Sequence, residues 1–161
     1  MDKKQTTKKD TATLSQFILQ LEKCKKVKDI ITTDSDIDRG VSAIGGTFKL
    51  YDDTAHFFYS ESVSFIAINI RSIYKLENTK QSSEETLLHA INKYNEGSFG
   101  TKACLLSRSD DSFHVELNVE SILNPGNNKA LPIEPMIMIL SRSINEIDIS
   151  IESILVNNRE G

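Results

Sequence analysis

The sequence predicts an α+β domain, one antiparallel sheet with helices on one face, in the order α-β-β-β-α-β-β-α. Three observations carry this prediction. Residues 64–73 and 112–119 alternate apolar and polar side chains with a period of two, the mark of strands with one face buried and one in water. Three other segments place apolar residues three and four apart, the period of a helix face. The strand-like segments come in runs, with helices between the runs, rather than one strand per helix.

A chain of 161 residues is long enough for a core that needs no staples. Ile, Leu, Val and Phe make up 46 residues, about 29% of the chain, above the roughly 20% below which disorder is expected. Cys24 and Cys104 lie far apart and imply no disulfide framework. No apolar run approaches the roughly 18 residues of a membrane span. The N-terminal MDKKQTTKKD leads into an amphipathic stretch and not a continuous apolar one, so a cytoplasmic protein is expected.

In chain order, residues 1–12 form a basic arm with almost no apolar side chain, expected to be disordered, and residues 13–156 form a single domain with 157–161 as a tail. Thr13 suits a helix N-cap, and Leu14, Phe17, Ile18, Leu21 and Cys24 make one stripe, predicting a helix over 13–29 whose last turns are rich in Lys. Residues 34–40 read as loop. Strands are predicted at 47–51 and 55–61 around an Asp52-Asp53 turn, then at 64–73, with Ile66, Ile68 and Ile70 on one face and Ala67, Asn69 and Arg71 on the other. Ser82 and Glu85 match a capping box, Leu87, Leu88, Ile91 and Tyr94 form the stripe of a second helix, and Gly97 suits its C-terminal cap. Strands follow at 101–106 and 112–119, then a breaker loop at 124–128. A third helix begins near Pro132–Pro135, where Pro is tolerated in a first turn, with Ile133, Ile137, Leu140, Ile144 and Ile147 as its stripe. Ile149, Ile151 and Ile154 fit either its continuation or a short strand.

Recognisable chemistry is sparse. Asp34, Asp36 and Asp38 open like a Ca²⁺-binding EF-hand loop, but the sixth position is Arg39 and the twelfth Gly45, where a sharp-turn Gly and a bidentate Glu are required. His56, His89 and His114 lie on three elements with no ligand spacing among them, so no metal or other cofactor is expected. Gly45-Gly46 belongs to no phosphate-binding loop. Cys24 sits on an apolar stripe beside Lys23, Lys25, Lys26 and Lys28; that positive charge makes a reactive thiol one reading, against the simpler one of a small buried hydrophobe.

Charge is unevenly placed. Residues 1–28 carry a net +5 and the remainder a net −9. An acidic body repels phosphate, so nucleic-acid binding is not expected of the body, although the Lys-rich arm offers a regulatory alternative on nucleic acid or an acidic partner. More informative is an apolar surplus. Phe57-Phe58-Tyr59 places aromatic groups on both faces of a strand, Phe65 lies opposite the Ile66 face, and Met136 and Met138 flank the third helix's stripe. Phe57, Phe58, Phe65, Met136 and Met138 are therefore the candidate protein-binding residues, for a homodimer or a protein client.

A helix ending Ile91-Asn92-Lys93-Tyr94-Asn95, then strands at 101–106 and 113–119 around an acidic turn, resembles the second half of the class I type III secretion chaperone-like fold. Within that group the chain, over residues 13–147, resembles the YbjN family of bacterial sensory-transduction regulators. The resemblance implies a small acidic α+β protein, often a homodimer, that acts by binding other proteins and catalyses nothing. It supplies no site residues. The basic arm and the tail beyond Ile147 depart from the secretion chaperones.

Overall fold

A computed structural model describes residues 14–34, 43–75, 82–109, 112–123 and 131–157. The basic arm, the Asp36–Asp38 part of the acidic triplet, the breaker loop and the tail from residue 158 lie outside the described residues. The elements are α1 (Leu14–Lys23), β1 (Val27–Asp34), β2 (Ala43–Leu50), β3 (Asp53–Ser60), β4 (Phe65–Lys75), α2 (Ser82–Gly97), β5 (Lys102–Arg108), β6 (Ser112–Ile122) and α3 (Ile133–Asn157). Six antiparallel strands form one sheet in the order β1-β2-β3-β4-β6-β5.

The α+β class holds, with one strand more than the sequence predicts. The first helix stops at Lys23 instead of residue 29. Bonds from Cys24 N to Leu21 O (3.1 Å) and from Val27 N to Cys24 O (2.9 Å) turn the chain back, and the Val27–Asp34 run, rich in β-branched Val, Ile and Thr, pairs with β2 as an edge strand. Asp29 takes a left-handed φ of 50° where the β1–β2 register slips between Lys28 and Ile31. Such a bulge, with a lysine beside it, blunts a sheet edge against unwanted pairing. At the β2–β3 hairpin the turn shifts by one residue: Leu50 pairs with Asp53, leaving Tyr51 and Asp52 as the two-residue loop.

Strand parity decides the core. Phe48, Leu50, Ala55, Phe57, Tyr59, Ile66, Ile68, Ile70, Phe113, Val115, Leu117 and Val119 point to one face and are buried. The helices cover that face. α3 touches both α1 and α2 and lies over β4 and β6. Its stripe continues through Ile147 and Ile151, so the undecided stretch after Ile147 is helix. Side chains of Ser82 and Ser83 lie outside the described set, so the predicted capping box is not placed; Gly97 closes α2, while the left-handed glycine is Gly100, at φ 86°.

The second sheet edge is tied down. Asn95, in the last turn of α2, accepts from Ala103 N (2.8 Å) and donates to Ala103 O (2.9 Å), so its amide mimics one rung of a neighbouring strand on β5. Lys102 Nζ bonds Asn95 O at 2.9 Å across the same junction. Behind it, a buried hydroxyl chain runs Tyr94–Thr101–Ser143, with oxygen separations of 2.6 and 2.9 Å, and fixes α2 and β5 to α3. Every hydroxyl in that chain has a partner, so burying it carries no desolvation penalty left unanswered.

Candidate functional site

The sheet face away from the helices is open. Its parity set is Thr47, Thr54, His56, Phe58, Phe65, Ala67, Asn69, Arg71, Ile73, His114, Glu116, Asn118, Glu120 and Ile122, with Lys102 and Cys104 on the β5 edge. Antiparallel sheets of two layers ordinarily present a polar face to water. This one is mixed, and the departures are localised.

At the end formed by the β3–β4 turn and the C-terminal end of β6 lies an apolar patch. Phe58 and Phe65 meet at 6.4 Å between ring centroids, tilted by 49°. Phe65 pairs across the sheet with Ile122, which is 85% exposed. Ala67, opposite Phe58, adds a small side chain between them. Phe58 is 41% exposed. The sheet itself supplies nothing to cover this patch.

The middle of the face is polar and imperfectly satisfied. In register across the strands run Thr47, His56, Asn69, Asn118 and Lys102. The Oδ1 atoms of Asn69 and Asn118 are shielded from solvent yet accept no hydrogen bond, although Asn118 Nδ2 donates to Glu120 at 2.6 Å. A shielded acceptor without a donor costs about 1–3 kcal/mol. Replacing both residues with Val should therefore raise the unfolding free energy by about 1–2 kcal/mol, since Val also suits a strand. Urea denaturation checks this, and an unchanged or lower midpoint contradicts it. One rung further, Arg71 and Glu116 form an in-register ion pair at 3.0 Å.

The five candidate contacts do not form one surface. Phe57 is a core residue, 4% exposed, packed on Phe17 and Phe48. Met136 is equally buried, within the hydrophobic core. Neither side chain can reach a partner, which corrects the expectation for both. Phe58 and Phe65 belong to the open face. Met138 is exposed but lies on α3, in the opposite layer, beside Lys23 and Cys24. Ile122 lies beyond the clean alternation that ends at Val119, and the same parity three residues further on puts it on the outer face with His114 and Glu116. Ile73, 62% exposed, closes the far end of that face.

Cys24 does sit among lysines, in a cleft at the end of α1. Its thiol donates to Gln20 O at 3.5 Å, and burial, then Glu134, pushes its pKa up. That is the wrong direction for a thiolate nucleophile. Cys104 is exposed and unpaired, and its thiol is also raised, by desolvation and then by Glu116. Among the described residues, no three His, Cys, Asp or Glu side chains are arranged to hold a metal ion. None of the described helices is long and apolar enough to cross a membrane. Comparison with family models, curated proteins and solved structures returns no match for this chain.

Proposed function

We propose that the chain is a non-enzymatic interaction module that binds a polypeptide across the open sheet face, in the manner implied by its resemblance to the YbjN regulators and the secretion-chaperone-like group. The observation that carries the reading is the patch of Phe58, Phe65 and Ile122 on a sheet face whose neighbouring amides are left without donors. Natural sequences keep local rules almost everywhere, and clustered violations mark surfaces held for another purpose. Exposed aromatic and aliphatic anchors beside polar side chains are the composition of a binding surface with an apolar centre and a wet rim.

A photo-crosslinking residue at position 122 tests this in cells. A discrete adduct is expected, lost when Phe58 is also changed to Glu. The same residue at Leu19, exposed on α1 in the opposite layer, should give none. An adduct of twice the chain's mass identifies a second copy as the partner; any other single mass identifies a different protein. Equal labelling from positions 122 and 19, or adducts unaffected by Phe58→Glu, overturns the proposal.

A further inference from the structure

On the helical side of the molecule, remote from the open face, three lysines converge on a cleft of about 330 Å³ between the end of α1 and the first turns of α3. Lys23, Lys25 and Lys26 line it, over a floor of Cys24, Ile137 and Met138. Among the described residues none of the three forms an ion pair, although Glu134 lines the same cleft. A second hollow of about 370 Å³ shares Lys23, Cys24 and Glu134 and continues along the start of α3 past Pro132. Three ammonium groups against the one carboxylate of Glu134 leave the cleft net positive over an apolar floor, which favours an anion with a greasy part.

A strained residue outside the cleft's lining touches one of its lysines, Lys26. Tyr51 occupies the first position of the two-residue β2–β3 turn with φ 58°, a conformation that glycine takes without cost and a bulky side chain resists. The strain places its phenol against α3: Tyr51 Oη lies 2.9 Å from Ser141 Oγ. Lys26 Nζ donates to the same Ser141 oxygen at 3.2 Å and lies 5.5 Å from the Tyr51 ring centroid. The Lys26 ammonium, and then the Ser141 hydroxyl, hold the phenol below its ordinary range. Backbone strain that survives at a surface turn is found where a side chain's position matters. Here it fixes Lys26, otherwise a free surface ammonium, at the mouth of the cleft.

We propose that this cleft binds an organic anion, with a phosphate or carboxylate group held by Lys23, Lys25 and Lys26 and a short apolar chain lying on Cys24, Ile137 and Met138. The Tyr51–Ser141 pair positions Lys26 and does not itself have to touch the ligand. The site is independent of the open sheet face, and either proposal stands if the other fails.

Amide NMR of the full chain titrated with hexyl phosphate, hexanoate, inorganic phosphate and hexanol tests the proposal. Saturable shifts are expected at residues 23–26 and 137–141 with one or both of the alkyl anions, and the better of the two names the headgroup. Inorganic phosphate and hexanol should each bind at least about tenfold more weakly, because each lacks one half of the recognition. Lys26→Met should weaken the alkyl anion about tenfold, a charge-assisted hydrogen bond's worth. Tyr51→Phe should weaken it less, and Lys93→Met, on α2, not at all. Shifts that fail to saturate, shifts spread evenly over all lysines, or an unchanged affinity in Lys26→Met overturn the inference.

Discussion

Gly46→Ala should cost about 3 kcal/mol of stability and lower the melting temperature by about 6–12 °C, whereas Gly45→Ala, one residue earlier on the same strand, should change stability by less than about 0.5 kcal/mol. A Cβ at Gly46 would stand 2.1 Å from the carbonyl oxygen of Ile31 and 2.7 Å from the Phe57 ring. Both obstacles are fixed. The Ile31 carbonyl belongs to β1 at its bulge, and Phe57 is the residue in register with Gly46, with its ring packed between Phe17 and Phe48. Neither can move without opening the β1–β2 ladder or the core. A Cβ at Gly45 would meet Thr33 Oγ1 at 3.5 Å and Phe57 O at 3.6 Å, ordinary contact distances on the open face. Against a total stability of about 5–15 kcal/mol, the first substitution is a large fraction and the second is not. Thermal denaturation of the two variants side by side measures the difference. Equal melting temperatures would mean that β1 does not sit where the bulge places it.

Gly46 also explains why β1 was hidden. Three lysines at 23, 25 and 26 and the apolar stripe ending at Cys24 extend a helical pattern up to the strand, and nothing before residue 27 announces the turn. What makes β1 possible is tertiary: a glycine on the neighbouring strand that lets the bulged backbone approach, and a left-handed Asp29 that absorbs the extra residue. Elements whose signal is periodic and long were legible. β4 and β6 alternate because one face is core, and α2 and α3 show stripes because they cover it. Adjacent aromatic residues carry no such information. Phe57 and Phe58 are alike in the sequence, and only the pairing of Phe57 with Gly46 tells which ring turns inward. Met136 and Met138 pose the same problem on a helix whose apolar stripe is wide. Phe65 was legible by parity, since it stands opposite the Ile66 face of its strand. The lysine cleft was half legible: the cluster of charge stands in the sequence, but its closeness to Tyr51 and to Ser141, ninety residues further on, comes only from folding.

Phe17→Ala should be the most damaging single truncation in the helical layer, at about 3–5 kcal/mol. Phe17 is fully buried, stacked on Tyr59 with centroids 4.9 Å apart and planes 7° apart, and it meets Phe57 at 5.4 Å. α1 has 10 residues, too few to hold a helix in water without packing. Its other fully buried anchor is Leu21. Removing the Phe17 ring leaves a cavity walled by two aromatic rings of β3, and a sheet closes over such a void less readily than a loop does. The damage should be greatest locally, because α1 meets the rest of the molecule only at β1, β3 and α3 among its stronger contacts. Native-state hydrogen exchange should show α1 amides losing more protection than those of β4 and β6, which are interior strands of the sheet. Lys23 and Cys24 ride at the end of α1, so affinity for the alkyl anion should fall with α1 protection and recover in Phe17→Leu, which refills most of the space. A loss below about 1 kcal/mol, with α1 amides as protected as before, would contradict the packing that holds both the helix and the floor of the cleft in place.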